Sequence, residues 1–135
     1  PFKIKNDFDG ANLFKKINVG VEFFQTQYAF DRNILKNYML KLKQLGITNK
    51  AFFIIGLGVI KSAKSARWMN ENLFGIDIPE HIINRIEKSE DQKSEGIKVC
   101  IELIEQYKSI DGINGIHLMG YKQEKEIASV ISNFK

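Results

Sequence analysis

Three short apolar segments alternate with amphipathic helical stretches along these 135 residues. That alternation predicts an α/β fold with parallel strands. The segments are Val21 to Tyr28, Ala51 to Ile55 and Asn114 to Met119. Ala51 to Ile55 is almost wholly apolar, the pattern of a strand buried on both faces of a parallel sheet. Three strands leave sheet edges that need protection, and a complete (β/α)8 barrel takes about 250 residues. The expectation is a partial (β/α)8 TIM barrel: the last three or so parallel strands with surrounding helices, without the opening strands.

The elements follow in order. Asp9 is placed to cap a first helix whose apolar side is Leu13, Phe14 and Ile17 and which stops near Gly20. Asp31 caps the next, with Leu35, Tyr38, Met39, Leu42 and Leu45 at helical spacing and Gly46 as the stop. Gly56-Leu57-Gly58 gives backbone freedom where the second strand ends. A helix from about Ser62 to Leu73 follows, in which Trp68 and Met69 read as packing residues. Pro79 suits the first position of a helix carrying Ile82, Ile83 and Ile86. The stretch from about Asp91 to Lys108 buries Ile97, Cys100, Ile101, Ile104 and Tyr107. The last helix, from Lys122 to Asn133, sets Ile127, Val130, Ile131 and Phe134 on one side.

A hydrophobic share of 44% is globular rather than disordered. The net charge of +4 is spread over scattered lysines, with no basic block to track nucleic acid. No apolar run approaches the roughly 20 residues needed to span a bilayer, and no secretory segment opens the chain. Cys100 is the only cysteine, so no intramolecular disulfide forms, which fits a reducing, cytoplasmic setting. The chain opens at Pro1 rather than methionine, as a processed product or a piece of a longer chain does.

Polar side chains stand where packing alone does not call for them. Asp9, Asn12 and Lys16 share a helix face, with Lys15 beside them. Gln25 and Gln27 are two apart and share a strand face, Gln27 near its carboxyl end, where barrel active sites sit. Alone, Asp9 reads equally as a cap, the two lysines as a solvated face and Gln27 as a strand-end residue. Glu102 with Glu105 reads as a solvated face, and His117 as a satisfied barrel histidine. No His, Cys or carboxylate spacing supports a metal site.

These motifs resemble those of the methylenetetrahydrofolate reductase family. Asp9-x-x-Asn12-x-x-Lys15-Lys16 is similar to its Asp-x-x-Asn-x-x-Arg-Lys. Thr26-Gln27-Tyr28-Ala29-Phe30-Asp31 is similar to its Thr-Gln-x-x-Phe-Asp. Gly115 to Gly120 resembles the end of its barrel. The resemblance covers nearly the whole chain and makes residues 1–135 the carboxyl-terminal portion of such a barrel. It implies a flavoprotein of one-carbon and methionine metabolism that reduces 5,10-methylenetetrahydrofolate to 5-methyltetrahydrofolate, with FAD as cofactor and NADH or NADPH as electron donor. It implies FAD contacts at Asp9, Asn12, Lys15 and Lys16, and recognition of the folate pterin by Gln27. Lys15 keeps the charge of the family's arginine but loses its planar fork.

Three departures concern ligand contacts. A glutamine and a phenylalanine of the family align with Ser65 and Met69, and a late arginine aligns with Gln123. They leave folate specificity and the electron donor open. The family's acidic proton donor lies on a strand that these residues do not include, so no catalytic residue is assigned. The alternative expectation is a noncatalytic barrel remnant that serves assembly. Either way, exposed sheet edges call for a homo-oligomer or a companion chain.

Overall fold

The computed structural model describes residues 2–135. The elements are α1 (Ala11–Asn18), β1 (Phe23–Tyr28), α2 (Arg32–Gln44), a 3-10 turn (Ile47–Asn49) and β2 (Phe52–Leu57). They continue with α3 (Ala63–Asn72), α4 (Glu80–Glu87), α5 (Gln92–Tyr107), β3 (Ile113–Leu118) and α6 (Glu124–Ser132). The strands pair in parallel in the order β1-β2-β3. The α/β class with three parallel strands and surrounding helices is therefore as the sequence predicts.

Three helix starts, those of α2, α3 and α5, carry side-chain caps, while Pro79 stands at the cap position of α4 rather than at its first helical position. Asp31 accepts the N–H groups of Asn33 and Ile34 at 3.0 and 3.1 Å. Ser62 and Ser65 form a reciprocal capping box at the start of α3. Asp91 caps α5 through the Ser94 N–H. Asp9 differs from expectation. The cap position of α1 is Gly10, held at φ 72 with Ile47 packed where a Cβ would stand. Asp9 sits one residue earlier and accepts the Ala11 N–H at 2.9 Å.

The sheet is covered on one face. Phe53, Ile55 and Leu57 of β2 are buried in one cluster with Leu35, Met39 and Leu42 of α2 and Val99, Leu103 and Tyr107 of α5. On the opposite face Phe23 is 53% exposed and Phe52, its register partner, 61%. The expectation that β2 is buried on both faces is thus corrected. Of its alternate side chains on the other face, Phe52 is exposed and Ile54 only half-buried.

In α5 the buried stripe is Val99, Cys100, Leu103, Ile104 and Tyr107, with Ile97 and Ile101 only partly covered. In α6 only Val130 is buried, and Ile131 is exposed. Tyr107 donates its hydroxyl to the Ala29 carbonyl at 2.5 Å inside the core, tying α5 to the exit of β1. Gly96 lets α5 press onto the β2–α3 connection, because a Cβ there would overlap the Ile60 carbonyl.

The glycines at the carboxyl end of β2 have a different reason from the one the sequence suggests. Neither Gly56 nor Gly58 has a positive φ. A Cβ on Gly56 would lie 2.7 Å from the Thr26 carbonyl and 2.8 Å from that of Gln27. One on Gly58 would lie 2.5 Å from the Met119 carbonyl and 2.8 Å from the Tyr28 ring. Close approach of three strand ends, rather than backbone freedom, demands glycine here.

Candidate functional site at the carboxyl rim of the sheet

The strand ends build a cavity. Tyr28 closes β1, Gly58, Val59 and Lys61 follow β2, and Gly120 and Tyr121 follow β3. Ser65, Trp68 and Met69 of α3 complete a space of about 260 Å³. In parallel α/β folds this is where ligands sit, because connections leaving the carboxyl ends can diverge and carry side chains. Ser65, Trp68 and Met69 stand at i, i+3 and i+4, so they share one face of α3, while Ala63 and Ala66 turn into the core.

The lining is aromatic and mostly neutral. Trp68 is 56% exposed and Tyr121 80%, so the expectation that Trp68 is a packing residue is corrected. Tyr28 stacks on Phe30 with ring centres 5.4 Å apart. Burial pushes the Tyr28 phenol above its usual range, so it keeps its proton at neutral pH. Gln123 donates its amide to the Val59 carbonyl at 2.9 Å and so clips the β3–α6 loop to the β2–α3 loop. The three aligned positions Ser65, Met69 and Gln123 all line this one cavity.

Gln27 lies one residue before Tyr28, in a bulge. Gln25 pairs with Ile54 and Tyr28 with Gly56, so Thr26 and Gln27 together oppose Ile55. Thr26 Oγ1 takes over as acceptor for the Gly56 N–H at 2.9 Å. Gln27 Oε1 accepts the Tyr28 N–H at 3.0 Å, and the side chain remains exposed. Its NH2 group is left free to donate. Gln25 and Gln27 are both exposed, but the bulge between them interrupts the two-residue alternation on which a shared strand face was expected. His117, half-buried, sits opposite Gly56.

Helix α1 supplies a separate polar face. Leu13, Phe14 and Ile17 turn toward the core, while Asn12, Lys15 and Lys16 are exposed. The lysines occupy the last turn, which leads through Gly20 to the amino end of β1. Gln27 belongs to the other end of that strand. The structure groups Asn12, Lys15 and Lys16 on one helix face but sets neither them nor Gln27 in the rim cavity. An exposed cationic turn beside an asparagine suits an elongated dinucleotide, whose pyrophosphate needs positive charge and whose sugars need hydrogen-bonding groups.

Other polar clusters are structural. Arg85 bonds Glu95 at 2.7 Å and Glu102 at 2.6 Å, joining α4 to α5. Among the described residues no three His, Cys, Asp or Glu side chains converge as a metal site. No helix among them is long and apolar enough to cross a membrane.

The family model for methylenetetrahydrofolate reductase matches residues 3–135. The chain belongs to the methylenetetrahydrofolate reductase family. No curated protein matches it closely enough to count as a relative. Among solved structures it is similar to an uncharacterized protein from Clostridium thermocellum, described as binding two copies of 5-methyl-5,6,7,8-tetrahydrofolic acid. The two are 20% identical with a TM-score of 0.59 over 90% of this chain, which shows a shared fold. This family member spans 45% of the length of that protein.

Tyr28, Lys61, Trp68 and Tyr121 were not singled out as site residues by the sequence. The i, i+3, i+4 spacing of Ser65, Trp68 and Met69 was the signal available for Trp68. The others become visible only when strand order brings three loops together.

Proposed function

We propose that this chain is the carboxyl-terminal portion of a methylenetetrahydrofolate reductase-like (β/α)8 barrel and that its rim cavity binds a reduced folate. The observation that carries the reading is the aromatic cavity of Tyr28, Trp68 and Tyr121 at the carboxyl ends of three parallel strands. Family membership supports it, as does the binding of 5-methyltetrahydrofolate described for a protein of the same fold.

In this reading the rings grip the folate's benzoyl ring, while Gln27, in the bulge beside the cavity, reaches its pterin edge. An amide matches such an edge because it both donates and accepts. FAD, when bound, supplies the hydride chemistry that turns 5,10-methylenetetrahydrofolate into 5-methyltetrahydrofolate, with NADH or NADPH as donor. Lys15 and Lys16 would offer charge to its pyrophosphate, and Asp9 and Asn12 would bond its ribose or ring groups. The chain's own part is to bind and orient.

The open face bearing Phe23 and Phe52 favours a companion half, in the same longer chain or another one, that completes the barrel. A noncatalytic assembly module keeps this surface and dispenses with the cavity. Calorimetric titration of the 135-residue chain with 5-methyltetrahydrofolate separates the two. Saturable binding lost in Trp68→Ala supports the folate reading; no heat of binding contradicts it.

A further inference from the structure

We infer that Lys61 is the anion anchor of the rim cavity, selecting ligands that carry a carboxylate next to an aromatic ring. The inference deepens the folate reading by naming the group that recognises the ligand's acidic end.

Lys61 is the sole charged residue among those lining the cavity; no carboxylate accompanies it. Its Nζ makes only long contacts, 3.5 Å to the Tyr121 carbonyl and 3.4 Å to that of Lys122. Lys122 is the non-glycine residue with left-handed backbone among those described, at φ 53, so the loop carrying these carbonyls is held in a conformation that side chains disfavour. Glu126 feels the charge of Lys61 through space but is itself ion-paired with Lys93 at 3.3 Å. Lys61 therefore has neutral acceptors and no dedicated counter-ion. A ligand carboxylate replaces two long contacts to neutral carbonyls with a shorter ion-paired one. Trp68 and Tyr121 on the same cavity fix where the attached ring lies. A ligand with an aromatic ring and a nearby carboxylate thus fits this lining better than a cation, which Lys61 repels, or a neutral sugar, which wastes the rings.

The test uses the 135-residue chain and three probes in calorimetry. p-Aminobenzoylglutamate carries ring and carboxylates without a pterin, 6-methyltetrahydropterin carries the pterin without a carboxylate, and 5-methyltetrahydrofolate carries both. The wild type binds p-aminobenzoylglutamate, Lys61→Met weakens it about tenfold, and Lys61→Arg restores it. Rising ionic strength weakens this probe and leaves 6-methyltetrahydropterin unchanged. The salt comparison needs no variant, so it stands even where Lys61→Met folds poorly. Absence of p-aminobenzoylglutamate binding, or equal binding by wild type and folded Lys61→Met, overturns the inference. Lys61-dependent binding of p-aminobenzoylglutamate with no gain for 5-methyltetrahydrofolate instead contradicts the folate reading and leaves the anchor standing.

Discussion

Gly56 donates its N–H to the Thr26 hydroxyl at 2.9 Å, a side chain doing the work of a strand carbonyl. The extra residue in β1 makes this necessary, and the bare Cα of Gly56 makes it possible. Through this pair the bulge that carries Gln27 is locked to the centre of the sheet.

Gly56→Ala therefore costs stability. The added methyl meets two carbonyls and the Met119 side chain closer than van der Waals contact, and such overpacking costs about 1–3 kcal/mol. Thr26→Val removes the acceptor and leaves a partly buried N–H unsatisfied, at about 1–3 kcal/mol. Urea unfolding midpoints check both, and unchanged midpoints contradict the bulge account.

Cys100 is inert in the folded state. Burial holds its thiol up at about 12 and leaves it almost no thiolate at neutral pH. Labelling by a thiol reagent is slow in native buffer and accelerates with added urea. Tyr107→Phe, which removes the buried bond to Ala29, destabilises by about 1 kcal/mol and speeds labelling by exposing Cys100 more often. Fast native labelling contradicts this packing.

Much of this architecture is legible in the sequence, and the boundary is physical. The cap at Asp31, the stripe of α2 and the helix starts near Ser62 and Asp91 depend on neighbours within a turn or two, so spacing reveals them. The Thr26–Gly56 bond, the Gly96 contact and the cavity depend on residues tens of positions apart. The open face was hidden for another reason: an apolar strand reads the same whether its second face is covered by its own chain or by another. Trp68 was missed because a large apolar residue on a helix is more often core than cavity wall.

Acid weakens the α4–α5 contact. Arg85 holds the Glu102 carboxyl below its usual 4.5. A lowered folded value means the stabilisation is present above the unfolded value and is lost as pH falls through the folded one. The loss therefore begins below about pH 4.5. The pair is half exposed and screened, so its share is below about 1 kcal/mol. Thermal melts from pH 7 to 3 show a falling limb that Glu102→Gln makes shallower. An unchanged limb contradicts the assignment.

The open sheet face drives association of the isolated chain. Phe23 and Phe52 together present an apolar patch that water does not favour. Light scattering coupled to size exclusion shows self-association, which Phe23→Lys with Phe52→Lys suppresses while the melting temperature holds. A wild-type monomer that fails to bind a hydrophobic dye contradicts the unfilled interface.

Nitrogen–proton correlation spectra of the chain during titration with 5-methyltetrahydrofolate test the folate reading most directly. Saturable shifts are expected at the indole N–H of Trp68, the only tryptophan, and at the amides of Gly58, Lys61 and Gly120. A spectrum that does not move, or that moves only on helices away from the strand ends, contradicts it.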